Sequence, residues 1–423
     1  MTTPSSPAPP PTHIALNCDA PNVAKDKRVA MIFTRSIDEE TYISRVRTMR
    51  AARAAIDSCF GADIYRLHNI LETRKTGDFL YASWIFLINL IKLRPIPLQC
   101  VLYATHSDIH KLVSTLSRKD YPIIYLDTVR CLVLLRKLRK TRRDRKIIVD
   151  FDDLFSRRMK TVARTHMPLS LGFAQKYFPA VFRRAIEGPF AQLINRHEAT
   201  TLPHAEIEIA NIANSIVLVS KVERELLVRR LPPGVAAAIH AIPPPALVVR
   251  PSREIIPPLR FVFIGSDRQI HNRLSIDFLL HLWRGLTPNA TLHIYGNQRS
   301  TPSVKNVVWH GFAPELTTVY SEGSISLLPA LLAGGIKTKV IEAWTYGRPV
   351  LGNAAAFEGI QIPGYPLELP ECHWNQFILS PERHISALKE ASSLGLNYVA
   401  TTLSPQQHRL LWELAINSTP VAR

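Results

Sequence analysis

The sequence predicts an α/β protein made of two doubly wound domains, and three features carry that prediction. Short apolar runs alternate with helical patterns twice over, from Arg28 to Val219 and again from Leu259 onward. A proline-rich stretch, Pro243-Pro244-Pro245 through Pro257-Pro258, stands between the two series like a stiff linker. Late in the second series, Ile325 to Leu351 reads as strand, glycine loop, helix and strand, the repeating unit of a parallel sheet.

Residues 1–24, with Pro9, Pro10 and Pro11 in succession, are expected to be a flexible tail. The first domain is placed at 25–237. Arg28 to Phe33 reads as a buried strand ended by Thr34-Arg35-Ser36, and a helix follows from about Glu39 to Ser58. Arg45, Arg47, Arg50 and Arg53 recur on it at near-helical spacing, so one side is basic. Ala62 to Leu67 is the second strand. Gly77 to Leu93 is an apolar helix whose Phe79–Leu90 run is too short to span a bilayer and is expected in the core. Leu98 to Tyr103 is read as a strand and Asp108 to Leu116 as a helix. Ile123 to Leu126, Ile147 to Phe151 and Ser215 to Val219 complete the strands, with a helix after Ser220. The linker is placed at 238–258 and the second domain at 259–398. Its strands are Leu259 to Ile264, Thr291 to Tyr295, Val307 to Trp309, Ile325 to Pro329 and Pro349 to Leu351. After Tyr365 the pattern weakens. Within 399–423, Leu403-Ser404-Pro405 caps a last helix, Gln406 to Ile416.

Of the 423 residues 46% are apolar, and charges of both signs are present, which excludes a disordered chain and allows two or three sizeable cores. The five cysteines (18, 59, 100, 131 and 372) are odd in number and scattered. That argues against a disulfide framework or zinc site and fits a reducing cytoplasm. No secretory signal pattern opens the chain. The net charge of +18 calls for an anionic partner. Arg136 to Lys146 holds eight Lys or Arg, and Arg157, Arg158, Lys160 and Arg164 follow. No aromatic residue interleaves the first run, so no nucleic-acid partner is expected. A solvated basic face, or contact with the anionic inner face of a membrane, remains.

Gly334-Gly335 can bring backbone close to a ligand and opens directly into a helix at Ile336 to Tyr346, stopped by Gly347 and Pro349. Lys337 and Lys339 lie in its first turn, where positive charge opposes the helix dipole. An incoming pyrophosphate resolves that conflict, because free N–H groups and lysines both attract an anion. Thr338 and Glu342 share one helix face.

This stretch resembles the donor-binding signature of the GT-B glycosyltransferases, particularly the family 4 type that uses nucleotide sugars. Pro329, Gly334-Gly335-Ile336-Lys337-Thr338-Lys339, Glu342-Ala343, Gly347-Arg348-Pro349-Val350 and Glu358-Gly359-Ile360 fall in register with it. Phe261-Val-Phe-Ile-Gly265 with Asn272, His310-Gly311-Phe312 with Leu316 and Tyr320, and Ala213 to Ser220 with Glu223 extend the likeness over roughly Ala213 to Ile360.

The resemblance implies two Rossmann-like domains facing across a cleft, donor in the second and acceptor in the first, with the final helix crossing back to the first domain. Glu342 would accept hydrogen bonds from both ribose hydroxyls. The N–H groups of Gly335 to Lys337, with Lys337 or Lys339, would neutralise the diphosphate. Gly265, Arg268, Gly334, Ile336, Thr338 and Glu358 complete the expected donor site. Two departures stand out: Gly334 replaces a sugar-contacting glutamate common in the family, and Thr34-Arg35-Ser36 replaces a glycine pair.

Asp150-Phe151-Asp152-Asp153 looks like the metal-holding D-x-D of another glycosyltransferase class, but GT-B enzymes generally need no metal, and no cofactor is expected. On the acceptor side the candidates are Asp127, Asp152, Asp153, Arg130 and Arg35. One carboxylate would orient or deprotonate the acceptor hydroxyl. His106 and His110 are rival bases, and the sequence leaves the choice open. The resulting expectation is a retaining glycosyltransferase acting on a glycan or lipid-linked acceptor, cytoplasmic and peripheral at the membrane. A turnover-deficient sugar-nucleotide-binding or scaffold protein of the same fold is the alternative, and a nucleic-acid-binding protein acting through the Arg136–Lys146 run a less favoured one.

Overall fold

A computed structural model describes residues 28–38, 44–141, 144–165, 188, 190–235, 237–249, 255–332 and 334–418. The expected tail, the start of the first helix at Glu39, and Arg142 and Arg143 of the basic run lie outside them.

The first sheet holds β1 (Val29–Phe33), β2 (Ala62–Arg66), β3 (Ile123–Asp127), β4 (Lys146–Asp152), β5 (Ser215–Leu218) and β6 (Ala238–Ala241), all parallel, in the order β2-β1-β3-β4-β5-β6. The helices around it are α1 (Ser44–Phe60), α2 (Ile70–Thr73), α3 (Thr76–Ile91), α4 (Leu98–Leu102), α5 (His106–Arg118), α6 (Leu132–Thr141), α7 (Phe155–Arg164), α8 (Ala191–Ile212) and α9 (Lys221–Val228). Continuous apolar runs such as Val29–Phe33 are buried throughout, as strands covered on both faces must be. One core collects Ile32, Leu126, Val149 and Leu218, the other Met31, Tyr125, Ile148 and Val217, one on each face of the sheet.

The second sheet, in the order β11-β10-β7-β8-β9, is also parallel: β7 (Arg260–Ile264), β8 (Thr291–Tyr295), β9 (Val307–Gly311), β10 (Ser324–Leu328) and β11 (Val350–Gly352). Its helices are α10 (Ile270–Leu286), α11 (Leu316–Val319), α12 (Thr338–Thr345), α13 (Trp374–Leu379) and α14 (Ile385–Thr402). Trp283, Trp344 and Trp374 are fully buried in its core. Gly395 on α14 is required there, since a Cβ at that position would lie 2.3 Å from Trp344 Cδ1. A final helix, α15 (Pro405–Asn417), is N-capped by Ser404, whose hydroxyl accepts from the Gln407 N–H. It buries Trp412, Ala415 and Ile416 against the first sheet, with the Trp412 ring 5.8 Å from Tyr125.

Four expectations are corrected. Leu98 to Tyr103 is not a strand but the short helix α4. Pro97 sets its start, and Glu198 of α8 accepts from the Leu98 N–H and the Gln99 amide. A brief apolar run has no period by which to tell the two apart. Residues 238–241, placed in the linker, form the edge strand β6 on β5. The chain after Tyr365 is largely helical, its apolar positions recurring along α14. The Phe79–Leu90 run is not core: α3 turns most of its large apolar side chains outward.

The basic run is also less of a solvated face than its composition suggests. Arg136 forms a two-point contact with Glu208 (2.6 and 2.7 Å), Arg139 caps the carbonyls of Ile212 and Arg145, and buried Arg145 holds the Leu116 carbonyl. Lys146 donates to the carbonyls of Ile416 and Ser418. Among the described members, Lys137 and Lys140 are the exposed ones.

Candidate active site at the domain junction

The carboxyl ends of both parallel sheets meet at one junction, where open α/β folds bind ligands. From the second domain comes the glycine loop. Gly334 and Gly335 adopt φ of +110° and +64°, and a Cβ on Gly335 would come within 3.4 Å of Asp153 Oδ2 across the junction. Lys337 is the N-cap of α12, and its ammonium folds back onto the carbonyls of Gly334 and Gly335. Burial pulls its pKa down, while Glu358 and Asp153 oppose. Lys339 lies over the Phe263 ring at 4.6 Å and donates to Asn272 Oδ1. Burial lowers its pKa to about 8. Asn272 also crosses Gly265, where a Cβ would lie 2.6 Å from the amide carbon, so this glycine makes room for the loop–lysine link. Ile336 packs against the core, Thr338 is the first helical residue, and Arg268 is exposed in the loop after β7.

From the first domain come carboxylates and arginines. Glu223 on α9 accepts from the Gly335 N–H at 3.1 Å and from the Leu154 N–H at 3.3 Å. It is fully buried and its Oε2 has no partner among the described residues. Burial, with the charge of Asp153, raises its pKa to about 8. Asp153 pairs with Arg158, and its Oδ1 is also unpartnered. Among the described residues, two ion pairs bridge the domains: Arg47 of α1 to Glu342, and Arg157 of α7 to Glu358. The two carboxylates expected to frame a nucleotide thus both hold arginines of the facing domain.

Behind them lies a buried charge cluster. Arg45 is 6% exposed and reaches Asp127 (2.5 Å), Asp150 (3.1 Å) and Asp152 (3.1 Å). Asp127 also accepts from the Thr34 N–H and hydroxyl, and Asp150 from the Tyr125 hydroxyl. Burial pushes the Asp127 pKa up, but Arg45 and Thr34 outweigh it and hold the carboxyl below its usual range. Asp127, an expected base, is therefore locked into the scaffold. Asp152 differs. It sits at a register shift in β4 with φ +66°, a strained position for a non-glycine residue. Burial, with Asp153 and Asp150, raises its pKa to about 6 against the pull of Arg45. Its side chain is 25% exposed, so unlike the buried, Arg45-locked Asp127 it can be reached from the junction.

Arg130 lies over the rings of Tyr103 and Phe155, and burial together with Arg130 lowers the Arg35 pKa to about 10. His106 is exposed on α5, its ring against Tyr81 and His110 and not on the acids. Among the described residues, no group of three or more His, Cys, Asp or Glu is arranged to hold a metal ion.

Sequence reasoning missed Glu223, Arg45, Arg47, Arg157, Arg158 and Asn272 as site residues. Glu223 was findable, since it stands in the first turn of a helix that directly follows a strand. Arg47 was not: 295 residues separate it from Glu342.

These features define the GT-B fold of glycosyltransferases, two Rossmann-like domains with a glycine loop and lysine-bearing helix turned to the junction. Residues 258–368 match the family described as Glycosyl transferases group 1. No curated protein sequence matches it. Among solved structures it is similar to HepE of Anabaena in complex with UDP and glucose (TM-score 0.58, 10% identity, 92% of this chain and 99% of that one). It is similar to the lipopolysaccharide outer core galactosyltransferase WaaB (0.55, 12%, 92% and 99%). It is also similar to TarM (0.50, 14%, 74%), of which it spans 58%.

Proposed function

We propose that this chain transfers a sugar from a nucleoside-diphosphate sugar to an acceptor hydroxyl at the domain junction. The observation that carries the reading is the Gly334–Lys339 loop. Backbone N–H groups, a helix N-terminus and two lysines lie together there, and Glu223 of the facing domain accepts from the Gly335 N–H. With its pKa raised to about 8, Glu223 meets that N–H as a neutral carboxyl near pH 7, and a diphosphate, being charged, is the stronger acceptor for the same donors. Glu342 takes the ribose hydroxyls and Glu358 frames the nucleotide once Arg47 and Arg157 release them. Lys337, Lys339 and Arg158 supply the positive charge for the departing diphosphate, so the reading includes no metal.

On the acceptor side Asp152 is the proposed base or orienting group, with Asp153 next to it and Arg35 and Arg130 lining the approach. Retention of the anomeric configuration, a lipid-linked or surface-polysaccharide acceptor, and a cytoplasmic place at the inner membrane face belong to this proposal. UDP in the HepE structure and the lipopolysaccharide substrate of WaaB support the donor and acceptor parts by analogy of fold alone.

Calorimetric titration of UDP, GDP and ADP into the wild type and Glu342→Ala tests the donor site. Binding of one nucleotide, weakened in the variant, is the expected result; no binding of any to the wild type refutes it. Tight nucleotide binding without sugar release or transfer would instead establish a binding protein of the same fold.

A further inference from the structure

Helix α3 is built inside out. Its polar residues Asp78 (1% exposed) and Asn89 (8%) face inward. Asp78 accepts from the Ser107 N–H and hydroxyl, and Asn89 from Arg136. Its large apolar residues face out: Leu80 (67% exposed), Trp84 (59%), Leu87 (51%), Leu90 (53%) and Ile91 (78%). Leu80, Trp84, Leu87 and Ile91 recur at i, i+4, i+7 and i+11, which puts them on one stripe of the helix. Leu93, just past its end, is 89% exposed. Helix α8 packs beside α3, the partly buried Phe86 ring lying 6.2 Å from the His197 ring, and its own Leu193 and Phe190, one and two turns before His197, are 67% and 55% exposed.

Charge frames this surface on one side of the scale only. Exposed Arg74 and Lys75 precede α3, exposed Lys92 and Arg94 follow it, and the single acid from 74 to 94 is the buried Asp78. An exposed apolar stripe of four large side chains on one helix face marks an interaction surface. A tryptophan-bearing apolar face flanked by cations fits a bilayer with anionic headgroups, where the rings and aliphatic chains enter the acyl boundary and the cations meet the phosphates. No described helix is long and apolar enough to cross a membrane, so the contact is with one face.

We infer that α3, with the start of α8, is the surface by which this protein docks on an anionic lipid bilayer. The inference rests on the peripheral-membrane part of the function proposed above and assigns that contact to α3 and not to the Arg136–Lys146 run, most of whose described members are tied up internally. It also orients the enzyme. The first turn of α3 packs on Ser107 of α5, near Tyr103 and Arg130 of the acceptor side, so docking brings a membrane-borne acceptor toward the junction.

Co-sedimentation tests it, with vesicles of phosphatidylcholine alone and of phosphatidylcholine and phosphatidylglycerol in equal parts. The proteins compared are the full-length wild type, Leu80→Ser/Trp84→Ser/Leu87→Ser and Lys137→Gln/Lys140→Gln. The wild type and the lysine variant are expected to bind the anionic vesicles, and the triple variant to lose at least about tenfold in partitioning, the effect of withdrawing even one large apolar side chain. Because Trp84 is the most exposed of the tryptophans, its emission should shift to the blue on binding, and Trp84→Phe should lose the shift while still binding. Equal binding by the triple variant overturns the assignment to α3 and leaves the membrane reading standing. No vesicle binding by the wild type overturns both, while nucleotide titration still reports on the donor site. A dimer that the triple variant dissociates, without vesicle binding, overturns the lipid in favour of a second copy.

Discussion

Replacing Arg47 by alanine should make the protein bind its nucleotide more tightly. Arg47 is about half exposed and Glu342 is 16% exposed, and their ion pair ties α1 to α12 across the junction. If Glu342 receives the ribose hydroxyls, the nucleotide must first break that pair. Partly exposed pairs of this kind are worth about 0.2–1 kcal/mol, a factor of about 1.4 to 5 in an equilibrium constant. Arg47→Ala should therefore lower Kd by about that factor. Glu342→Ala should raise Kd far more, since a single hydrogen bond to a charged acceptor contributes about 1.5–3 kcal/mol, a factor of about 13 to 160. The two should not be additive: with Glu342 gone, Arg47 has nothing to mask, and removing it should change nothing. Calorimetry on the four proteins of this cycle reads all three numbers. Weaker binding in Arg47→Ala would show that Arg47 is itself a ligand for the donor. The same gain in both backgrounds would show that Arg47 acts elsewhere. Either result refutes the masking argument.

Three other outcomes follow from the structure. Arg45→Ala leaves Asp127, Asp150 and Asp152 facing one another without their shared cation, and should destabilise the first domain by about 3–5 kcal/mol in urea unfolding, with Lys only partly restoring it. Gly395→Ala forces a methyl into Trp344 and should cost about 1–3 kcal/mol, seen as early loss of the buried tryptophan signal. Glu223 holds its proton to about pH 8 when folded and to about 4.5 in its ordinary state. The folded chain thus binds the extra proton between those values, and stability should fall as pH rises through that window, a contribution that Glu223→Gln removes. Nucleotide affinity should weaken over the same upper range, because an ionised Glu223 competes for the Gly335 N–H and Lys339, with a pKa of about 8, loses its charge.

The donor half of the site was readable because its parts are consecutive. Gly334 to Lys339 and Glu342 sit within one loop and one helix, and glycine, lysine and helix period are local signals. Most strands were readable for the same reason, being buried apolar runs between turn residues such as Val29–Phe33 and Ile123–Asp127, whereas the half-buried edge strand β6 was not. Where local signal is weak, the reading failed. Leu98 to Tyr103 carries no period, and its helix is set by Pro97 and by Glu198 on a distant helix. The α3 residues have the composition of a core helix, and only their packing reveals that the polar side faces in.

The sequence by itself determined two parallel α/β units, the glycine-lysine loop, and aspartates at the strand ends of the first unit. The tertiary structure alone decided which groups those elements would face. It brought Arg47 to Glu342, Arg157 to Glu358 and Glu223 to the Gly335 N–H, and it spent Asp127 on Arg45 while leaving Asp152 near neutrality. The physical reason is that backbone preference and hydrophobic period act over a few residues. A carboxylate's pKa and partners depend instead on charges and burial supplied by segments that are close only once the chain has folded.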